Sequence, residues 1–276
     1  MSVPTTDETT TRNTKTIAFF GATGGCANAC LTHVLQAGYH AVALARTPSK
    51  LTSQLLNQGL SQNTLDTQLR IIQGDATDPA AVRETILLSP TQLVSQIVSG
   101  LGSFPVVSRG SFLLPHITLD NPTICESSTK ALLSALRSIY SDYPSVESSK
   151  PLLTVISSTG LTTPPTPTDL PFLALKMYHF LGSVPHADKT RMEALLSEPQ
   201  TGDLFRGMII VRPSLLKGSG KVESEGKGWR NIRVGREESP AVGYTVTRAD
   251  VGEWIFEEVV KKDGDGWVGE KVSLTS

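Results

Sequence analysis

Seven residues near the start of the chain, Gly21-Ala22-Thr23-Gly24-Gly25-Cys26-Ala27, have the types and spacing that cradle a phosphate. They follow a short apolar run, Thr16-Ile17-Ala18-Phe19-Phe20, and lead into a segment with Ala27, Leu31, Val34 and Leu35 on one helical face. Strand, glycine turn and helix in that order are what a dinucleotide-binding motif requires. Gly21 allows the tight turn, Gly24 keeps a Cβ away from the pyrophosphate, and the small Ala27 lets the helix close on the strand. The helix start, with Thr23, Gly25 and Cys26 around it, then offers unpaired N–H groups and a partial positive charge to the phosphates. A thiol at that position is a candidate for a lowered pKa, although a small residue that simply fits explains Cys26 as well.

Arg46 stands about twenty residues beyond this loop, at the end of the second apolar run, His40 to Ala45. An acid there would take the two ribose hydroxyls of NAD. A guanidinium instead pairs with a 2′-phosphate and stacks on adenine, which favours NADP(H). Lys50, one helical turn on, adds a second positive charge. Gly74-Asp75 after the third run is ordinary turn chemistry and equally a place from which a carboxylate reaches the cofactor. Ser99-Gly100-Leu101-Gly102 has the small residues that let backbone pass near a nicotinamide ribose.

A second group of candidates lies further on. Ile156-Ser157-Ser158-Thr159-Gly160 ends a strand-like run with three hydroxyls. Lys189 shares a helical face with Met192 and Leu196, at i+3 and i+7. That face should meet the core, and an inward lysine needs a partner. A cofactor ribose is one; an i,i+4 pair with Glu193 is the other. His186, Tyr178 and His179 are proton donors within reach in sequence. Residues 160–184 form a long proline-rich loop whose second half carries Phe172, Met177, Tyr178 and Phe180. Such a loop reads as a substrate lid suited to a medium-sized apolar or aromatic carbonyl compound.

The elements that must position these residues alternate regularly. Strands are expected at 16–20, His40 to Ala45, Leu69 to Gln73, Leu93 to Val98, Leu152 to Ser157, Met208 to Arg212 and Glu270 to Leu274. Helices are expected after the glycine loop, irregularly over 48–68, at Pro79 to Leu88, Thr123 to Tyr140, His186 to Leu196 and Arg248 to Lys262. Thr247 and Asp250 form a variant capping box for the last of these. Trp229-Arg230-Asn231-Ile232-Arg233 is read as surface. The alternation implies an α/β fold, a doubly wound parallel sheet of Rossmann type. Residues 1–13, polar and threonine-rich, are read as a disordered tail. Residues 14–276 are one domain, with a substrate-side region over about 213–276.

The spacing Gly-x-x-Gly-x-x-Ala, with Ala45-Arg46-Thr47-Pro48, Gly74-Asp75-Ala76-Thr77-Asp78 and Arg212-Pro213-Ser214, resembles the atypical short-chain dehydrogenase/reductases, in particular the NmrA-like NAD(P)-binding group. The likeness implies that Asp75 hydrogen-bonds the adenine amino group and that Ala76 lines the base. It also makes Ser158 the match for the substrate-orienting serine and Lys189 the match for the ribose-holding lysine. The family's tyrosine position is then Pro185, so the usual Tyr-x-x-x-Lys pair is absent. His186 and Tyr178 are the substitutes the sequence offers, with water a further proton source.

Composition narrows the field. A formal net charge of −1 provides no global field for nucleic acid or an anionic membrane. No apolar run approaches a membrane span. Cys26, Cys30 and Cys125 make neither a disulfide framework nor, lacking histidine or cysteine partners at suitable spacing, a metal site. The cytosol is the expected compartment. Three functions stay open: an NADPH-dependent reductase of a small carbonyl or quinone, an NADP(H)-sensing regulator without turnover, and a non-redox isomerase or cyclase.

Overall fold

The computed structural model describes residues 15–103, 105–108, 116–172 and 183–276, and only the backbone over 105–108, 116–119 and 183–185. In chain order the elements begin with β1 (Thr16–Phe20), α1 (Gly25–Gln36), β2 (His40–Ala45), α2 (Pro48–Asn57), α3 (Gln62–Gln68), β3 (Leu69–Gln73) and α4 (Pro79–Ile86). There follow β4 (Leu87–Ser89), β5 (Gln92–Leu93), β6 (Gln96–Ser99), β7 (Pro105–Ser108), β8 (His116–Leu119), α5 (Ile124–Asp142) and β9 (Leu152–Ile156). The last part holds α6 (Ser183–Leu196), α7 (Pro199–Gly202), β10 (Gly207–Pro213), β11 (Leu215–Lys217), β12 (Arg233–Gly235), β13 (Thr245–Thr247), α8 (Arg248–Trp254) and β14 (Lys271–Thr275).

Eight strands form the central sheet in the order β12-β14-β10-β9-β6-β1-β2-β3. Every pairing is parallel except β12 with β14. Strand order therefore runs outward in both directions from β1 and β6, and ligands of such sheets bind beyond the strand ends at that switch point. The strands are apolar throughout because both faces are covered. Ile17, Phe19, Ala41 and Ala43 face one core with α1 and α8, while Ala18, Phe20, Val42 and Leu44 face another with α4 and α5. Among the described residues no helix is long and apolar enough to cross a membrane.

Several expectations shift at their edges. The irregular segment over 48–68 is two helices, broken at Gly59 with φ +85°. The helix expected to reach Leu88 stops at Ile86, where Leu87 to Ser89 turns into a hairpin with Gln92–Leu93. The fourth sheet strand consequently starts at Gln96 and not at Leu93. The last helix is regular only to Trp254 and continues as a π-helix over Ile255–Val260. Its start is as expected: Thr247 Oγ1 accepts from the Asp250 N–H at 3.0 Å and donates to Asp250 Oδ2 at 2.7 Å. The hairpin β7–β8 has no counterpart in the apolar pattern read from the sequence.

Helices α1 and α8 pack closely because Gly252 lies at their contact. A Cβ there would come within 2.5 Å of Ala29 Cβ and 2.6 Å of the Cys26 carbonyl oxygen. Neither neighbour can turn aside, so Gly252→Ala should force the helices apart at a cost of about 1–3 kcal/mol. A urea or guanidinium denaturation curve measures it, and an unchanged midpoint would show that the helices have room.

Candidate functional site

At the switch point Gly21 adopts φ +73°, and a Cβ on it would lie 2.8 Å from the carbonyl of Gly100 at the end of β6. Gly100 in turn lies under Ala27: its own Cβ would be 2.8 Å from that methyl. Gly21, Gly100 and Ala27 thus interlock, which assigns Gly100 to packing the first helix on the sheet. Gly24 is the N-cap of α1 and has no side-chain capping bond, and the first turn carries no acid. The positive end of the helix is therefore not neutralised by its own first turn. Gly25 meets the C-terminal third of the chain, since a Cβ there would reach Arg248 Cδ at 2.4 Å and the Ser219 carbonyl oxygen at 2.7 Å.

Thr23, Arg46, Asp75 and Ala76 line one cleft with Gly21 and Leu101. Lys50 lies outside it, exposed on the first turn of α2. Asp75 accepts from the Thr77 N–H at 2.8 Å and the Thr77 hydroxyl at 2.7 Å. Those two bonds, and to a lesser degree Arg46, hold its carboxyl below the usual range. The residue is thus an Asx-turn and a cleft wall at once. Cys26 corrects the idea of an activated thiol: burial pushes its pKa up to about 12, outweighing the nearby cations Arg248 and Lys189.

The glycine turn is braced by amides that the sequence reading missed. Asn28 donates to the Ala22 carbonyl at 2.9 Å, and Gln54 donates to the Thr23 carbonyl at 3.3 Å. Gln58 donates to Asn28 Oδ1 at 3.0 Å and to the Gly220 carbonyl at 2.8 Å, and accepts from the Val222 N–H at 3.1 Å. Gln54 and Gln58 carry no sequence signal of these partners, which lie 30 or more positions away along the chain.

At the carboxyl end of β9 the second group comes together. Lys189 points inward with Met192 and Leu196, as its helical face implies, but not toward Glu193. Its ammonium donates to the carbonyls of Ile156 at 3.0 Å and Ser157 at 2.8 Å. Two of the three ammonium hydrogens are so used, and burial lowers the pKa from its ordinary value. Ser158 Oγ is enclosed and, among the described residues, has no hydrogen-bond partner. Ser157 is the occupied neighbour, donating to Glu193 Oε1 at 2.5 Å.

Glu193 is taken by Arg212, with Nη2 to Oε2 at 2.5 Å and Nε to Oε1 at 3.1 Å. Arg212 also reaches Glu237 at 3.1 Å. Asp188, beside Lys189, accepts from the N–H groups of Cys125 and Glu126, both at 2.9 Å, and so caps α5 from another helix. These contacts fix α6, and Lys189 with it, against the sheet edge. His186 stands on the same helix, partly buried. Tyr178, with Met177, His179 and Phe180, lies outside the described residues. Arg230 and Arg233 do not share a strand: Arg230 is in a short 3-10 turn with its guanidinium 4.4 Å from the Trp229 ring centre, and Arg233 opens β12.

The fold and its switch-point cleft define a Rossmann-type protein. No known protein-family profile matches the chain. It is 50% identical over 280 residues to oxidase pynE of Aspergillus niger, spanning 94% of this chain and 98% of that protein. It is 41% identical over 267 residues to reductase pytE of Aspergillus terreus, spanning 94% and 97%. The chain belongs to the family of these two fungal oxidoreductases. Among solved structures it superimposes on the anaerobilin reductase ChuY of Escherichia coli with a TM-score of 0.58 at 17% identity, over 94% of this chain and 96% of that one. That likeness is one of fold.

Proposed function

We propose that the protein is an NADPH-dependent reductase of a small apolar or aromatic carbonyl or quinone compound, an atypical short-chain dehydrogenase of NmrA-like type. The observation that carries this reading is the pairing of an inward ammonium, Lys189, with an enclosed and unpartnered hydroxyl, Ser158, at the end of β9. A buried hydroxyl without a partner costs free energy unless a ligand supplies the bond. The names of the two fungal relatives, an oxidase and a reductase, agree with hydride chemistry.

The residues present fit the cofactor. The turn from Gly21 to Cys26 and the N-terminus of α1, with no acid in its first turn, would hold the pyrophosphate. Arg46 would pair with the 2′-phosphate, while Asp75 and Ala76 would border the adenine. When bound, NADPH supplies a hydride. Lys189, with one ammonium hydrogen beyond the two given to β9, would hold the nicotinamide ribose. Ser158 would orient the substrate carbonyl.

Arg46→Ala should weaken NADPH binding about 10- to 100-fold and leave NADH binding unchanged, because a charge-assisted bond is worth about 1.5–3 kcal/mol. Fluorescence titration with each nucleotide measures this, followed by NADPH oxidation with quinones and aromatic ketones. Equal loss for both nucleotides would remove Arg46 from the 2′-phosphate. Failure of either nucleotide to bind would end the cofactor assignment. The second reading, an NADP(H)-sensing regulator, is favoured by Pro185 at the family's tyrosine position. Tight NADPH binding without turnover of any substrate would select it.

A further inference from the structure

With proline at position 185, a reductase on this fold must take its proton from another group. We propose that Asp169, held at the exit of β9 by the Gly160 N–H, is the acid that protonates the substrate oxygen, an inference that rests on the reductase reading above.

Asp169 is 1% exposed. Its Oδ1 accepts from the Gly160 N–H at 2.7 Å, two residues beyond Ser158. Its Oδ2 is enclosed and, among the described residues, has no hydrogen-bond partner. Only five enclosed side-chain atoms among the described residues are unpartnered, and Ser158 Oγ and Asp169 Oδ2 are two of them. Both belong to the segment that follows β9, and a buried polar atom left unpaired in this way is a place where a ligand can complete the bond.

Burial and the surrounding charges set the direction in which Asp169 titrates. Arg212 on β10 is committed to Glu193 on α6 in a two-pronged pair and to Glu237. Glu237 is further matched by Lys271 at 3.2 Å. Asp169 is thus a further carboxyl beside a guanidinium already shared by two others. Burial raises its pKa, the Gly160 N–H and Arg212 oppose that rise, and Glu193 adds to it. A protonated Asp169 carries an O–H at Oδ2 that no atom of the described residues accepts.

In the reaction, the carbonyl carbon receives a hydride from NADPH and the C=O π pair moves onto oxygen. That oxygen takes the proton from Asp169, with Ser158 hydrogen-bonded to it. Asp169 is left as a carboxylate and regains its proton from water. The balance is carbonyl, NADPH and one proton to alcohol and NADP⁺.

The protonated carboxyl can be observed without cofactor. Infrared difference spectra of the free protein should show a carboxylic-acid C=O band that persists to higher pH than an ordinary carboxyl's and is missing in Asp169→Asn. Stability should report the same proton. The folded chain binds it where the unfolded chain has released it, so stability falls as pH rises from the ordinary carboxylate pKa through the raised one, and Asp169→Asn flattens that slope. Asp169→Asn keeps an acceptor for Gly160. It should bind NADPH within about twofold of wild type and lose about 10²- to 10⁴-fold in turnover, with the alkaline limb of kcat abolished. Absence of the band, or turnover within twofold of wild type, overturns the assignment. Should the variant fail to fold, wild type alone decides, since the band must titrate away in step with the alkaline loss of kcat. A wild-type protein that binds NADPH but reduces nothing defeats the reductase reading and the acid with it, while the band still reports the protonation state of Asp169.

Discussion

Glu193→Ala should lower the stability of the chain by about 3–5 kcal/mol, the cost of leaving a buried charge without its partner. The side chains of Arg212 and Glu193 are 4% and 8% exposed, so water cannot replace the lost carboxylate. Arg212 would keep only the contact to Glu237, and the Ser157 hydroxyl would lose its acceptor. Both losses fall at the end of β9, where Lys189 and Ser158 stand. Replacing Glu193 and Arg212 together by apolar residues of similar volume should cost less than Glu193→Ala alone, because the double change leaves no orphaned charge. Denaturant unfolding of the three proteins measures both effects. A loss below about 1 kcal/mol for Glu193→Ala, the range of a solvated surface pair, would show that the pair is solvated and that α6 is held to the sheet by packing alone.

Lys189→Met should produce the opposite division, with a large loss of turnover and a small change in stability. Methionine fills a similar volume and joins Met192 and Leu196 on the core-facing side of α6. The substitution also removes an ammonium whose burial already lowers its pKa, and with it a desolvation cost. What is lost is the group bonded to the Ile156 and Ser157 carbonyls, whose remaining hydrogen the proposed function assigns to the nicotinamide ribose. Turnover should fall about 10²-fold or more, the effect of misplacing reacting groups by roughly an ångström. NADPH affinity should fall about tenfold, one charge-assisted bond's worth. Steady-state oxidation of NADPH with a reducible quinone, beside a thermal melt, separates the two effects. Full turnover in Lys189→Met would relegate the lysine to bracing β9.

The contrast between these two residues shows how far the sequence could be read. Both lie on one helix four residues apart, and an i,i+4 pair between them was one of two partners the spacing allowed for Lys189. Each instead finds its partner across the sheet edge, Lys189 on β9 and Glu193 on β10. Asp75 shows the other situation. Its turn is made by Thr77, two residues away, and a turn was one of the two readings the Gly-Asp pair allowed.

The sequence by itself determined the parallel strands of the central sheet, the glycine turn, the approximate place of the main helices and the inward face of Lys189. These follow from apolar periodicity, small residues and caps, all of which act within a few residues of one another. Only the tertiary structure decided which polar groups far apart in the chain meet. Gln58 reaches Gly220 across 162 positions, Asp188 caps a helix 62 and 63 positions earlier, and the ammonium of Lys189 rests on carbonyls more than thirty positions away. Such contacts arise where a doubly wound topology brings strand ends and helix starts to one edge. A buried polar group there takes whichever partner the packing provides, because leaving it unpaired costs more than any local preference.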